Sequence, residues 1–301
     1  MIQVVAISGL LAAAFVALQA PGGAGLAWLS VTGGSPYCPW GNALGAAVHA
    51  HMLEEAKDRI VAGMRRTGKD TEGSELWSTP DGLVWLPTGN EFLIAFNLAE
   101  QELDIYEVGA VRVRPGDVVL DCGANVGLFT RKALARGARL VVAIEPAPQN
   151  LRCLRRNLAR EIEQGRVIVY PKGVWDREDM LTLRINPANT AAASFVMGAN
   201  GWESITRVPL TTIDRLVEEL NLPRVDYIKM DIEGAETRAL HGAAGTLKRW
   251  RPRLAISAYH LPDDPRTIPA AVHSAQPDYR MRCGACEHVD SLIRPKVLLF
   301  W

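Results

Sequence analysis

The chain has 301 residues, 33 Lys plus Arg against 33 Asp plus Glu, and 48% hydrophobic residues. That length suits one large domain or one domain with an appendage, and the apolar fraction suffices for a substantial core. Zero net charge excludes a chain drawn as a whole to nucleic acid or anionic lipid.

No Asp, Glu, Lys or Arg precedes Glu54, and residues 2–18 are mostly aliphatic. At roughly 18 residues this run is only just long enough to cross a bilayer, and it lacks the basic start of a signal peptide. It stays open between a membrane anchor, which the cations at 57–69 would orient to the cytoplasm, and a packed helix or a tail. Residues 21–45 read as a loose connector, 49–66 as a helix and 67–74 as a polar break. The chain therefore divides into a helical and irregular N-terminal extension, 1–74, and a domain, 75–301. Five cysteines (Cys38, Cys122, Cys153, Cys283, Cys286) are few, odd in number and scattered, so no disulfide framework is expected and a reducing, cytoplasmic setting fits.

The domain opens on two strand-like runs, 75–78 and 83–86, around the turn Thr79-Pro80-Asp81-Gly82, which reads as a hairpin. Residues 91–106 carry Leu93, Ile94, Phe96 and Leu98 at helical spacing, fit for covering a sheet edge or roofing a substrate site. Then comes Val118-Val119-Leu120-Asp121-Cys122-Gly123-Ala124-Asn125-Val126-Gly127: an apolar strand closing on an acid, a glycine turn and a helix start. Glycine lets a ligand reach bare backbone, and the N–H groups of a starting helix favour negative charge. The Gly-Lys-Ser/Thr ending of a P-loop is missing.

Strand and helix patterns then alternate. Residues 127–136 are helical, 140–144 a strand, and Leu151, Leu154, Leu158 and Ile162 line one helical face. Its other face, with Arg152, Arg155, Arg156 and Arg160, is a solvated surface rather than a nucleic-acid site. Strands at 167–170 and 181–185 precede an irregular, polar stretch at 186–204. After an extended run at 208–212 and a helix at 213–220, a strand at 225–230 closes on Asp231-Ile232-Glu233-Gly234, another at 254–258 ends at Tyr259-His260, and 297–301 is the last. Repeated strand-helix units predict an α/β fold with a doubly wound, mostly parallel sheet.

In such a sheet the ligand lies beyond the carboxyl ends of the strands. Glu145 terminates the second strand, where a carboxylate can accept both hydroxyls of a ribose. NAD and S-adenosylmethionine both present that ribose. A dinucleotide site uses Gly-x-Gly-x-x-Gly to admit a pyrophosphate, whereas here the glycines directly follow Asp121, which would repel one. The acid favours S-adenosylmethionine, cationic and free of phosphate. An NAD-dependent oxidoreductase is the enzymatic rival.

Val-Leu-Asp-Cys-Gly-Ala-Asn-Val-Gly at 119–127, Ile-Glu-Pro-Ala-Pro-Gln-Asn at 144–150 and Asp-Tyr-Ile-Lys-Met-Asp-Ile-Glu-Gly-Ala-Glu at 226–236 resemble, in this order, the FkbM-family methyltransferases. These are a branch of the class I S-adenosylmethionine-dependent enzymes, and the resemblance runs from about residue 76 to 301, leaving 1–74 without a counterpart. It implies a Rossmann-like, seven-stranded sheet with the last strand antiparallel. It also implies O-methylation of a hydroxyl on a sugar, glycan or natural product, with nitrogen the acceptor atom in some relatives. By matching position, Asp121, Gly123, Asn125 and Gly127 would hold the methionine end, Glu145 the ribose, and Asp231 with Glu233 would lie near the transferred methyl. Lys172-Gly173-Val174 stands where an adenine-contacting acid is expected, leaving Asp176 as the candidate. The sequence Asp231-Ile232-Glu233-Gly234 differs from the Asn-Pro-Pro-Tyr type, which argues against nucleobase or glutamine-amide acceptors.

A hydroxyl acceptor benefits from a base within hydrogen-bond reach, and His260 and Asp231 compete for that role. Lys229, next to the end of a buried strand, is expected to pair with an acid. Asp231, Glu233 and His260 from two strand ends are too few to assign a metal, and none is expected. Cys283 and Cys286, near His288, make half a zinc site and are read as ordinary thiols.

Overall fold

The computed structural model describes residues 36–186, 189–196, 203–289 and 292–301. The aliphatic run at 2–18, with its anchor expectation, lies outside them. Among the described residues no helix is long and apolar enough to cross a membrane.

Helix α1 (Trp40–Gly63) begins inside the stretch expected to be a connector, because six of residues 43–50 are Ala, Leu or Val. Strand β1 (Arg65–Lys69) pairs antiparallel with β2 (Ser74–Thr79), so a ladder runs across the expected break at 67–74. β2 forms the expected hairpin with β3 (Gly82–Pro87), and α2 (Glu91–Glu102) follows. Leu53, Ala56 and Ile60 of α1 pack with Ile94, Ala95 and Leu98 of α2 and with Val84 and Leu86 of β3.

The alternation of strand and helix then runs in order: β4 (Val118–Cys122), α3 (Leu128–Ala135), β5 (Leu140–Ile144), α4 (Pro148–Asn157), α5 (Ala159–Glu163) and β6 (Val167–Tyr170). Next come β7 (Gly173–Val174), β8 (Asp179–Asn186), β9 (Asn189–Ser194), β10 (Glu203–Thr211) and α6 (Ile213–Glu219). The chain continues through β11 (Tyr227–Met230), α7 (Glu236–His241), α8 (Ala244–Trp250), β12 (Arg253–Ser257) and α9 (Asp264–Ala275). It closes with β13 (Met281–Cys283), β14 (Cys286–Val289), β15 (Leu292–Pro295) and β16 (Val297–Phe300).

The central sheet has seven strands in the order β13-β16-β12-β11-β4-β5-β6. β6, β5, β4, β11 and β12 are mutually parallel, and β16 runs antiparallel to β12. The expected sheet, with its last strand reversed, is therefore present. Side chains alternate by strand geometry: Val118, Leu120, Ile228 and Ile256 enter one apolar layer, Val119, Tyr227 and Ala255 the other.

Two expectations give way. The stretch at 186–204 was to be irregular, yet β9 and the start of β10 lie in it and extend β8 into a second sheet, β7-β10-β8-β9. Ladder pairing overrides the low strand propensity of its alanines and polar residues. Cys38 and Cys286, expected as free thiols, form a disulfide, while Cys122, Cys153 and Cys283 remain free. Sequence spacing could not indicate a pair 248 positions apart.

Candidate functional site

A cleft of about 1180 Å³, including its mouth, opens beyond the carboxyl ends of β4, β5 and β11. Its floor is the turn Gly123 to Val126, one wall is the α2 face with Leu93, Phe96, Asn97 and Glu100, and the far side carries Ala193 and Phe195.

The turn is tightly determined. Gly123 has φ +77°, and a Cβ there would sit 1.9 Å from the Asp231 carbonyl oxygen, so only glycine fits. The N–H groups of Gly123 and Ala124 both donate to the Ile144 carbonyl at 3.0 Å, and Gly127 N–H donates to Ala124 O at 2.8 Å. Asn125, left-handed at φ +50°, donates its N–H to Glu145 Oε2 at 2.8 Å. These four amides are thus satisfied within the protein, leaving them no part in cradling a phosphate. Glu145 lines the cleft and also accepts from Ala147 N–H at 2.9 Å. Burial pushes its carboxyl pKa up, against the pull of those amides.

Three expected cofactor residues sit elsewhere. Asp121 is fully buried and outside the cleft lining: Thr130 Oγ1 donates to its Oδ2 at 2.7 Å and Lys229 Nζ lies 3.4 Å from its Oδ1. Its charge is spent inside the fold, so it cannot face a cationic cofactor. Gly127 caps α3 at φ +92° and its Cβ position meets Leu158 at 2.8 Å, a packing contact behind the turn. Asp176 is absent from the cleft lining and instead accepts from Arg238 at 2.6 Å and from Arg177 at 3.3 Å, two guanidiniums that hold its carboxylate. Gly123, Asn125 and Glu145 do line the cleft.

At the other end, Asp231 and Glu233 line the cleft together with Lys229, Tyr106, Tyr259 and Glu100. Tyr106 OH donates to Asp231 Oδ2 at 3.0 Å. Lys229 pairs with an acid as expected, and its Nζ also donates to Gly123 O at 2.8 Å. Burial alone would push the Asp231 carboxyl up, but Lys229 and His260 outweigh it and its pKa is lowered. Glu233 stands in left-handed conformation at φ +56°, and burial raises its pKa. A non-glycine residue in that region stores strain of the kind found at functional sites.

His260 lies behind this wall with its side chain 3% exposed. Its Nδ1 is 2.9 Å from Glu236 Oε1, and its Nε2 is 3.4 Å from Asp231 Oδ1 and 3.6 Å from Glu233 Oε1. Burial would depress the imidazole, but Glu236 and Glu233 outweigh it and hold its pKa well above the usual value. The structure thus joins the three expected catalytic residues, with His260 supporting the two carboxylates from beneath.

Glu100, Tyr106 and Tyr259 escaped sequence reasoning. Glu100 is fixed by Lys296 at 2.8 Å, whose Nζ lies 4.7 Å above the Phe96 ring. A signal existed: Leu93, Phe96, Asn97 and Glu100 follow one another at helical spacing, a single face ending in an acid.

The chain is 25% identical over 180 residues to the hexuronic acid methyltransferase AglP of Haloferax volcanii, covering 58% of this chain and 69% of that one. It is 30% identical over 161 residues to the 31-O-demethyl-FK506 methyltransferase FkbM of Streptomyces tacrolimicus, covering 44% of this chain and 61% of that one. It matches the AMB antimetabolite synthetase AmbE of Pseudomonas aeruginosa at 26% over 235 residues, 64% of this chain but 11% of that much longer one. The chain thus spans less than two thirds of two of these relatives. The crystal structure of Methyltransferase FkbM from Methylobacillus flagellatus superposes with a TM-score of 0.50 at 19% identity, over 85% of this chain and 59% of that one, and shares the fold. The family model described as the methyltransferase FkbM domain matches residues 121–284, more than half of the chain, and the protein belongs to that methyltransferase family.

Proposed function

We propose that the protein is an S-adenosylmethionine-dependent O-methyltransferase acting on a hydroxyl of a sugar, glycan or natural product. The observation that carries this reading is Glu145, a buried carboxylate lining the cleft beside a glycine turn in which the Gly123, Ala124 and Asn125 amides are already satisfied. A ribose-binding acid without a phosphate cradle suits a nucleoside cofactor that has no pyrophosphate, and this weakens the NAD reading. The relatives' names support the acceptor class: one is a 31-O-demethyl-FK506 methyltransferase and another a hexuronic acid methyltransferase.

When bound, S-adenosylmethionine supplies a methyl on a sulfonium; the new C–O bond forms as the C–S bond breaks and its electron pair returns to sulfur. The chain's part is placement and proton handling. Glu145 and the turn at 123–126 would fix the nucleoside, and α2 with Tyr106 and Tyr259 would hold the acceptor against it. Orientation of this kind contributes several kcal/mol, about 7–11 at its upper end. The hydroxyl proton passes to the carboxylate pair Asp231 and Glu233, which reach the cleft directly, whereas His260 is screened by them.

Calorimetry with S-adenosylmethionine and NAD tests the cofactor, and tighter binding of NAD would end the proposal. Labelled methyl transfer to sugar, polyketide and amine panels tests the acceptor. Transfer to amines alone would replace oxygen by nitrogen.

A further inference from the structure

We infer that Asp231, Glu236 and His260 form a binding site for one divalent transition-metal cation, of the Mn2+ or Zn2+ class, at the acceptor end of the cleft. One ligand atom from each residue lies within 4.8 Å of the others, a spread that a single ion can bridge. Glu233 Oε1 lies 3.6 Å from His260 Nε2, beside this group.

The second observation is the state of the polar atoms. Each carboxylate is held by one oxygen and bare at the other. Asp231 Oδ2 accepts from Tyr106 OH at 3.0 Å, and Glu236 Oε1 accepts from Ile232 N–H at 2.9 Å. Asp231 Oδ1 and Glu236 Oε2 are buried without a hydrogen bond, and so are both nitrogens of the His260 ring. Carboxylate oxygens crowd that ring at 2.9, 3.4 and 3.6 Å, yet no N–H is aligned on any of them. Buried polar atoms are nearly always bonded, and an imidazole offers only one of its nitrogens to a given ion, so Asp231 Oδ1, Glu236 Oε2 and one ring nitrogen are the bare donors that call for a group indifferent to hydrogen-bond angles. A dication is such a group. Tyr106 and the Ile232 amide then act as outer partners that aim the free oxygens.

The donor set selects the ion. Two or three carboxylates with one imidazole suit Mn2+, Fe2+ or Zn2+ better than Ca2+, which prefers oxygen alone, or a thiolate-seeking metal. Because Asp231 reaches the cleft and Glu233 lines it alongside, an ion held here would be accessible from the cleft. There an acceptor hydroxyl would pass its proton to Glu233, the carboxylate of the pair left outside the group, and its oxygen would take the methyl as the C–S bond breaks. That role rests on the methyltransferase reading, whereas the site itself does not. Glu236 is the residue that sequence reasoning left out, since a helical acid three positions beyond Glu233 looks like ordinary first-turn charge.

The test is a titration of the full chain, stripped with chelator, with Mn2+, following the loss of the free-ion electron paramagnetic resonance signal, and then displacement by Zn2+. One Mn2+ per chain is expected, with His260→Gln and Glu236→Gln each weakening it by about tenfold or more. Glu72→Gln, an exposed acid far from the cleft, should leave it unchanged. Circular dichroism and melting confirm that each variant folds; should Glu236→Gln fail there, His260→Gln and Asp231→Asn carry the test. No bound Mn2+ at millimolar concentration, or binding undiminished in these variants, overturns the site and leaves the ring as an imidazolium among carboxylates. Calorimetry of the stripped protein with S-adenosylmethionine separates the two claims: if the cofactor binds but Mn2+ does not, only the site falls, and if Mn2+ binds but the cofactor does not, with or without Mn2+ present, only the function falls.

Discussion

Glu145, at the end of β5, accepts the backbone N–H of Asn125 from the β4–α3 turn at 2.8 Å, tying the two parallel strand ends that frame the cleft. Replacing Glu145 with Ala removes the ribose acceptor and leaves the Asn125 and Ala147 amides unpaired. Affinity for S-adenosylmethionine should fall by about tenfold or more, with acceptor binding much less affected. Calorimetry on the folded variant checks this; unchanged cofactor affinity would reduce Glu145 to a helix-start acid.

Asp121 and Lys229 make a buried pair at 3.4 Å, and neither side chain is more than 5% exposed. Asp121→Asn leaves the lysine charge buried beside a neutral amide, a change that costs about 3 kcal/mol or more. Urea unfolding should show that loss, and Asp121→Asn with Lys229→Met should recover part of it. If Asp121 instead contacted the cofactor, the single variant would keep its stability and lose binding.

Gly123 and Gly165 both have positive φ, but only at Gly123 does an added Cβ strike backbone, 1.9 Å from Asp231 O, whereas Gly165 has open space. Gly165→Ala should cost about 1 kcal/mol, the strain of the left-handed region alone. Gly123→Ala should cost several kcal/mol and displace Asp231. Comparable midpoints in urea for the two variants would contradict this packing.

Asp264, at the start of α9, has its carboxyl pKa pushed up to about 7 by burial, against the Leu261 N–H that it accepts. The unfolded chain releases that proton near pH 4. Between about pH 4 and 7 the folded state therefore holds a proton that the unfolded state has lost, and stability falls as pH rises through this window, by on the order of a few kcal/mol. Asp264→Asn keeps an acceptor for Leu261 and should flatten that decline. Parallel melting curves of the two proteins across the window would refute it.

The sequence made the parallel sheet legible because buried strands such as 140–144 and 167–170 are unbroken apolar runs, and their limits match β5 and β6. Residues at strand ends were equally legible: Gly123, Asn125, Glu145, Asp231 and Glu233 all reach the cleft. What failed were directions and long-range pairs. Asp121 precedes the turn by only two positions, yet strand alternation turns it inward to Lys229. Tyr259 rather than His260 lines the cleft for the same one-residue reason. β9 escaped notice because its small and polar residues gain their order from β8, through pairing that a local window does not contain.

The Cys38–Cys286 bond turns residues 38–286 into a covalent ring that encloses β1 through β13. A chain with that bond explores far fewer unfolded shapes than one without it, and ring closure on this scale is worth about 5 kcal/mol in the chain-entropy account. That is comparable to the whole margin by which many domains stay folded. The electron supply of its surroundings thus becomes a stability variable for this protein, acting on the denatured chain without touching a single residue of the cleft.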